Sequence, residues 1–230
     1  EATSRWTTTA PEDASRSACR PWHDAGVTSL AAAVWDVLTK PLAGSLVTLE
    51  PLEERHAEDL RAACADPRVS RWLPVPLHEP QWFAWWLEDG LAALAERREV
   101  TFATVRRADG VAIGSTRFME LRERDRSVEI GWTWLAPAVW GTGANVEAKL
   151  LMLGRAFEQA GCIRVELKTD ARNERSRAAM AALPAQFEGI HRQHRVLLDG
   201  SYRDSAWYSV LDREWPDVRA SLERRLAARA

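Results

Sequence analysis

The chain has 230 residues, enough for one sizeable core, and its 46% apolar and 28% charged residues are ordinary for a globular protein. A formal net charge of −2 gives no global attraction to nucleic acid or an anionic membrane. No uncharged apolar run approaches the ~20 residues needed to cross a bilayer, so no membrane partner is expected.

Residues 1–44 read as an N-terminal extension. Thr, Ser, Ala and charge dominate "EATSRWTTTAPEDASRSACRPW" without lasting periodicity, and "SLAAAVWDVL" forms a short helix stopped by Pro41 and Gly44. The main domain is expected over 45–216, and 217–230 continues a terminal helix packed on it. "SLVTLEPL" alternates as a first strand. "EERHAEDLRAACAD" follows as a helix with Leu52, His56, Leu60 and Ala63 at helical spacing. "PRVSRWLPVP" is a proline-punctuated loop, and "EPQWFAWWLEDGLAALAERRE" is a second helix with Glu79 and Pro80 at its start.

A hairpin around Ala108-Asp109-Gly110 comes next, because Asp-Gly between apolar-rich strands is a strong turn signal. The basic run Arg122 to Arg126 is a second, solvated turn. In the strand "SVEIGWTWL", alternation puts Val128, Ile130, Trp132 and Trp134 on one face and Glu129, Gly131, Thr133 and Leu135 on the other.

A helix from about Asn145 to Ala160 buries Val146, Leu150, Leu153 and Phe157, widened by Leu151 and Met152, and Gly161 closes it. "CIRVELKTD" is a strand, and Asn173 caps the helix "ERSRAAMAAL". Two strands around Asp199-Gly200 and the terminal helix "EWPDVRASLERRLAARA" complete the chain. Hairpins force antiparallel pairs and strand–helix–strand units favour parallel ones, so the class is α/β with a mixed sheet.

The chemistry-bearing stretch is "PAVWGTGANVEAK". A strand that runs through Gly141-Thr142-Gly143 into a helix aims free N–H groups and the positive helix end at one point, which suits a phosphate. A tight turn without a ligand is the alternative use of such glycines. Ala144 and Asn145 exclude a P-loop, which needs Lys and Ser or Thr there, and Val146 replaces the third glycine of a dinucleotide fingerprint.

The loop resembles that of the GNAT superfamily of acyl-CoA-dependent N-acyltransferases, whose Q/R-x-x-G-x-G/A turn cradles the coenzyme A pyrophosphate. Trp140 stands at the Gln/Arg position, Gly143 at the central glycine and Asn145 at the last Gly/Ala. "GTGANVEAKLLMLGRAFEQAGCIRVELKTDARNERSRAAM" is similar to the branch containing the ribosomal-protein N-terminal acetyltransferases, "TDARNERS" above all. Similarity spans about Leu46 to Pro216. Where that branch usually has Leu-Gly-Ala after the helix, Leu183-Pro184-Ala185 stands, and its turn must be built differently because proline lacks an N–H.

The resemblance implies a GNAT-like, largely antiparallel central sheet flanked by helices, with acetyl-CoA as acyl donor and no metal. The acceptor would be a small-molecule amine or a peptide or protein N-terminus. Trp140, Gly141, Thr142, Gly143, Ala144 and Asn145 would hold the pyrophosphate, and Trp134 and Leu135 would offer the backbone N–H for the oxyanion. Asn173 would meet the pantetheine arm or serve only as a cap.

Met180 occupies the place where many members carry a tyrosine acid, and Ser176 matches the branch's serine near the sulfur. Glu129 is the candidate base, with a strand ion pair as its alternative role. Trp82, Trp85 and Trp86 would wall the acceptor site or a dimer contact, with core filling the use of at least one of them, and a homodimer is common in the family. The three cysteines, Cys19, Cys64 and Cys162, have neither metal nor disulfide spacing, and His191 and His194 lack a third ligand. With no span, a cytoplasmic location is expected. Two other readings stand beside the acetyltransferase: another donor such as succinyl-CoA, or a non-catalytic acyl-CoA-binding module.

Overall fold

A computed structural model describes residues 34–229, so the extension's first 33 residues, Cys19 among them, lie outside the described part. Residues 34–38 are helical (α1) and are followed by β1 (Leu42–Ala43) and β2 (Val47–Pro51). Then come α2 (Ala57–Ala63), α3 (Pro67–Ser70), α4 (Pro80–Ala95), β3 (Val100–Arg106), β4 (Ala112–Arg122) and β5 (Ser127–Leu135). After the glycine turn stand α5 (Ala144–Gly154), β6 (Arg164–Asp170), α6 (Glu174–Ala182), β7 (Gln186–Val196), β8 (Tyr202–Leu211) and α7 (Trp215–Ala227). The eight strands form one sheet in the order β1-β2-β3-β4-β5-β6-β8-β7. Only β5 and β6 pair in parallel.

α3 corrects the expected loop between α2 and α4. Asp66 accepts the Arg68 N–H at 2.8 Å and Pro67 fills the first helical position, a cap strong enough to start a turn inside a proline-rich stretch. The helix after the glycine turn also differs from expectation. It is α-helical to Gly154 and closes through a π turn, Arg155–Gln159. Its buried face carries Ala144, Ala148, Met152, Leu153 and Ala156 together with Glu147 and Lys149, while Val146, Leu150, Leu151 and Phe157 are only partly buried. Apolar periodicity found Met152 and Leu153 but missed the rest of the buried stripe, because two charged residues belong to it.

Those charges have partners. Glu147 accepts from Ser45 N–H at 2.7 Å, Ser45 hydroxyl at 2.6 Å, Leu46 N–H at 2.7 Å and Val47 N–H at 2.7 Å. Burial pushes this carboxyl up, but those donors outweigh it and hold its pKa below the ordinary value. The side chain thus pins the start of β2 to the first turns of α5. A Cβ on Gly44 would lie 2.3 Å from the Glu147 carboxyl carbon, so glycine is required there. Arg155 ties the other end down, its guanidinium donating to the carbonyls of Val37, Lys40 and Pro41. Leu38 and Leu42 lie in the main core, so residues 34–44 are packed with the domain.

Pro184 interrupts the end of α6. Ala185 N–H reaches the Met180 carbonyl at 3.1 Å, one of the two bonds of a Schellman closure. Proline cannot donate the second, and its φ of 29° lies where a pyrrolidine ring is strained.

Two stability changes are expected in denaturant melts with unchanged slope. Glu147→Ala leaves three N–H groups without an acceptor and should cost about 3–5 kcal/mol. Pro184→Gly restores both the missing donor and an unstrained left-handed position, and should raise stability by about 1 kcal/mol.

Candidate active site

β5 is the axis of the site, and it is not a regular strand. Arg117 faces Gly131 but Ser115 faces Trp134, so two residues of β5 oppose Thr116. The extra residue, Trp132, has φ 48°. This β-bulge reverses the alternation along the strand. Val128, Ile130 and Leu135 pack in the core under α5, while Trp134 lies in the second core under α2 and α4. The expected single row of Val128, Ile130, Trp132 and Trp134 is therefore broken in the middle, and Glu129 shares a face with Trp134.

Just before the bulge β5 also leaves β6. Their pairing covers only Ser127–Glu129 against Arg164–Glu166, and the strands then part. The gap opens a cleft of about 400 Å³, lined by β5 from Glu129 to Leu135 and by Leu167, Lys168 and Thr169 of β6. Ala136 N–H bonds Ile113 on the β4 side, so Leu135, one residue back, turns its own N–H and carbonyl toward the gap. Trp140 Nε1 donates to that carbonyl at 2.8 Å. Of the two candidate oxyanion donors, geometry favours Leu135.

The glycine turn sits at one end of this cleft. Gly141 and Gly143 have φ of 82° and 101°, conformations that side-chain-bearing residues rarely adopt. Gly143 is the N-cap of α5. None of the hydrogen bonds among the described residues uses the N–H groups of Gly141, Gly143, Asn145 or Val146. The Asn145 Oδ1 is buried and unpartnered as well. The free N–H groups fit a phosphate-bearing substrate arm, whereas the Oδ1 can only accept and would need a donor from elsewhere on that arm. Gly141, Gly143, Asn145 and Trp140 line the cleft, whereas Thr142 turns away to bond the Val139 carbonyl at 2.8 Å and Ala144 is packed in the core. Those last two could contribute backbone only.

Sequence reading missed the cations around the turn. Arg175 stacks 3.8 Å above the Trp140 ring, and Arg225 of α7 and Arg229 just after it line the cleft as well. Trp140, at the position where the family pattern has Gln or Arg, instead holds an arginine supplied by α6.

Asn173 caps α6 through Ser176 N–H at 3.1 Å and donates to Thr169 Oγ1 at 3.2 Å. Asn173, Ser176 and Met180 all line the cleft. Glu129 lines it too, 1% exposed, with Lys168 Nζ 2.5 Å from its Oε2. Burial pushes the Glu129 carboxyl up, and the Lys168 charge only partly offsets it.

The aromatic wall differs from expectation. Trp82, Trp85 and Trp86 do not line the cleft; Trp72, Trp132, Trp134 and Trp140 do. Trp86 is fully buried, its ring 5.3 Å from that of Trp134. Trp85 is 44% exposed and packs 6.5 Å behind Trp132. A helix placed across the sheet must point one residue of Trp85-Trp86 inward, and the inward one fills the second core. His191 lies 4.6 Å over the Trp207 ring, and no cluster of metal-ligating residues occurs among the described residues.

Lys149 also reaches the cleft, and nothing in the sequence pattern announced it. Its Nζ donates to Thr133 Oγ1 at 2.8 Å, the residue after the bulge, and Thr133 meets Thr116 at 2.8 Å. No carboxylate pairs with it among the described residues, and burial pulls its pKa from 10.5 to about 7. The unfolded chain protonates this lysine below its ordinary value while the folded chain does so only below about 7. Stability is therefore lost as pH falls through that window and is flat below it. Lys149→Met should raise the melting temperature. The gain should be largest at pH 6–7 and shrink by about 1.4 kcal/mol per unit toward pH 10.

Comparison with known proteins places these features. Residues 47–185 match the family described as Acetyltransferase (GNAT) domain. The chain is 32% identical over 107 residues to YdaF of Bacillus subtilis (strain 168), which carries the name of a ribosomal N-acetyltransferase. That match covers 46% of this chain and only 57% of YdaF. A GCN5-related N-acetyltransferase from Brucella melitensis superposes with a TM-score of 0.75 at 31% identity, covering 81% of this chain and 85% of that one. Mycobacterium smegmatis RimJ, solved with CoA-disulfide, shares the fold at a TM-score of 0.65 and 23% identity, with 82% and 92% covered. A bulged β5 parting from β6, a glycine turn at the start of α5 and these likenesses agree: the chain belongs to the GNAT acetyltransferase family.

Proposed function

We propose that this protein transfers an acetyl group from acetyl-CoA to a primary amine, either a small molecule or the N-terminus of a peptide or protein. The observation that carries this reading is the convergence of three features on one cleft. Free N–H groups and cations stand at the glycine turn, strand backbone is freed by the parting of β5 and β6, and a buried carboxylate, Glu129, lies along the wall. YdaF, by its name, points toward a ribosomal acceptor.

In this reading the Gly141–Asn145 backbone and the arginines Arg175, Arg225 and Arg229 hold the phosphates, and Asn173 meets the arm that runs between β5 and β6. Acetyl-CoA supplies an activated thioester; the acceptor nitrogen forms the new C–N bond as the C–S bond breaks. Leu135 N–H stabilises the charge that develops on the carbonyl oxygen. Glu129 takes the ammonium proton, directly or through water, which its raised pKa favours. Ser176 stands where the leaving thiolate would take a proton, since Met180 has none to give.

Calorimetry should find one-to-one, micromolar binding of acetyl-CoA, weakened by about ten-fold or more in Arg175→Ala. With an accepted amine, Glu129→Gln and Ser176→Ala should each lower kcat by about 10²-fold with smaller changes in KM. Effects of only a few-fold would remove both residues from these roles. Micromolar binding without turnover on any amine would favour an acyl-CoA-binding module instead.

A further inference from the structure

The wall of the cleft away from the glycine turn has an unbalanced charge. Glu129 is the one acid among the described residues lining the cleft, and Lys168, Arg195 and Arg203 stand on its side of the sheet. Register fixes this: Glu129 faces Glu166, Lys168 faces Trp207 and Arg203 faces Arg195 across β7 and β8. Strand alternation therefore puts Glu129, Lys168, Trp207, Arg203 and Arg195 on one face, opposite the apolar face under α5 and α7. The phosphate-binding turn belongs to the other side.

Arg203 is the key residue. It is 7% exposed and lines the cleft, its Nε is buried without a partner, and no hydrogen bond among the described residues uses its guanidinium. The neighbouring acids are already committed. Asp170 holds Arg172 through bonds of 3.0 and 2.8 Å, Glu129 holds Lys168, and Glu166 holds Arg122 and Arg164. Arg195 is exposed directly opposite Arg203, and two like charges facing each other across strands repel. A buried guanidinium, an adjacent second one and no free carboxylate make a site for an anion.

We propose that the acceptor amine carries a carboxylate, bound by Arg203 and Arg195, while its amino group faces Glu129. This rests on the acetyl-transfer reading and narrows its acceptor. The carboxylate could belong to a free amino acid or to an acidic first residue of a peptide; both present an amine and a carboxylate a few bonds apart.

The test compares acceptors that differ only in carboxylate against carboxamide: alanine with alaninamide, and the peptide amides Asp-Ala-Ala with Asn-Ala-Ala. In at least one pair the carboxylate member should have a kcat/KM about ten-fold or more higher, chiefly through KM, because an unpaired buried arginine penalises the neutral analogue. Arg203→Gln should bring that ratio close to one, and Arg195→Gln, at an exposed position that does not endanger folding, should reduce it. The pair that responds identifies the source.

Equal ratios in both pairs, or a preference untouched by both substitutions, would overturn the proposal while leaving acetyl transfer intact. If no amine is acetylated, calorimetric titration with the same four compounds decides. Carboxylate-selective binding lost in Arg203→Gln supports the site, and its absence at millimolar concentration rejects it. A preference for succinyl-CoA over acetyl-CoA with neutral amines, erased by Arg203→Gln, would assign the anion to the donor and overturn the proposal too.

Discussion

The parting of β5 from β6 is the constraint on which the rest of the site depends. A parallel pair that stayed hydrogen-bonded along its whole length would leave no backbone free and no room between the strands. Here the pairing stops at Glu129–Glu166, and the bulge at Trp132 follows within three residues. Unpaired strand backbone is costly in a core, so it persists only where the surrounding structure holds it. The Trp140 indole does so through the Leu135 carbonyl, while Lys149 orients the Thr133 side chain just past the bulge at a net cost in stability. Both come from the segment after β5, so the glycine turn and α5 shape the opening beside which they lie.

Glu147 connects this opening to the first half of the chain. It spends a buried carboxylate on three backbone N–H groups and one hydroxyl at the start of β2. The entry of β2 and the first turns of α5 are therefore joined as one body. Arg155, two turns later on the same face, fixes the carbonyls of Val37, Lys40 and Pro41. α5 is anchored by charges at both ends and by Ala148, Met152 and Leu153 between them.

Element types were largely legible because turns and caps are local chemistry. Asp109-Gly110, Asp199-Gly200, Asn173 and Pro80 each mark a boundary where the structure has one. The glycine turn was legible for the same reason. What the sequence hid was long-range. A bulge adds a residue without changing composition, so strict alternation carried Trp132 to the wrong face. The buried stripe of α5 was only partly read, at Met152 and Leu153, because Glu147 and Lys149 look like surface residues until their partners, 100 and 16 positions away in sequence, are in place. The aromatic wall was misassigned for a related reason: "WFAWW" is conspicuous as a string, but helix geometry decides which ring points where, and Trp86 is spent on the second core. The arginines at the cleft come from α6, α7 and the β7–β8 hairpin, and no short motif joins them.

Lys149 and Arg203 share a property that separates them from the buried carboxylates and from Arg155, whose guanidinium is held by three backbone carbonyls. Glu147, Glu166 and Asp170 are held by donors that compensate their desolvation, and burial of that kind is explicable as structure. Lys149 and Arg203 have no such carboxylate partner and are destabilised as cations, with burial the leading cause for both. A fold selected for stability alone would replace them with apolar residues of similar volume. Both lie on the cleft, one at the bulge and one at the wall facing Glu129, so the stability they cost is concentrated where bound substrate could return it.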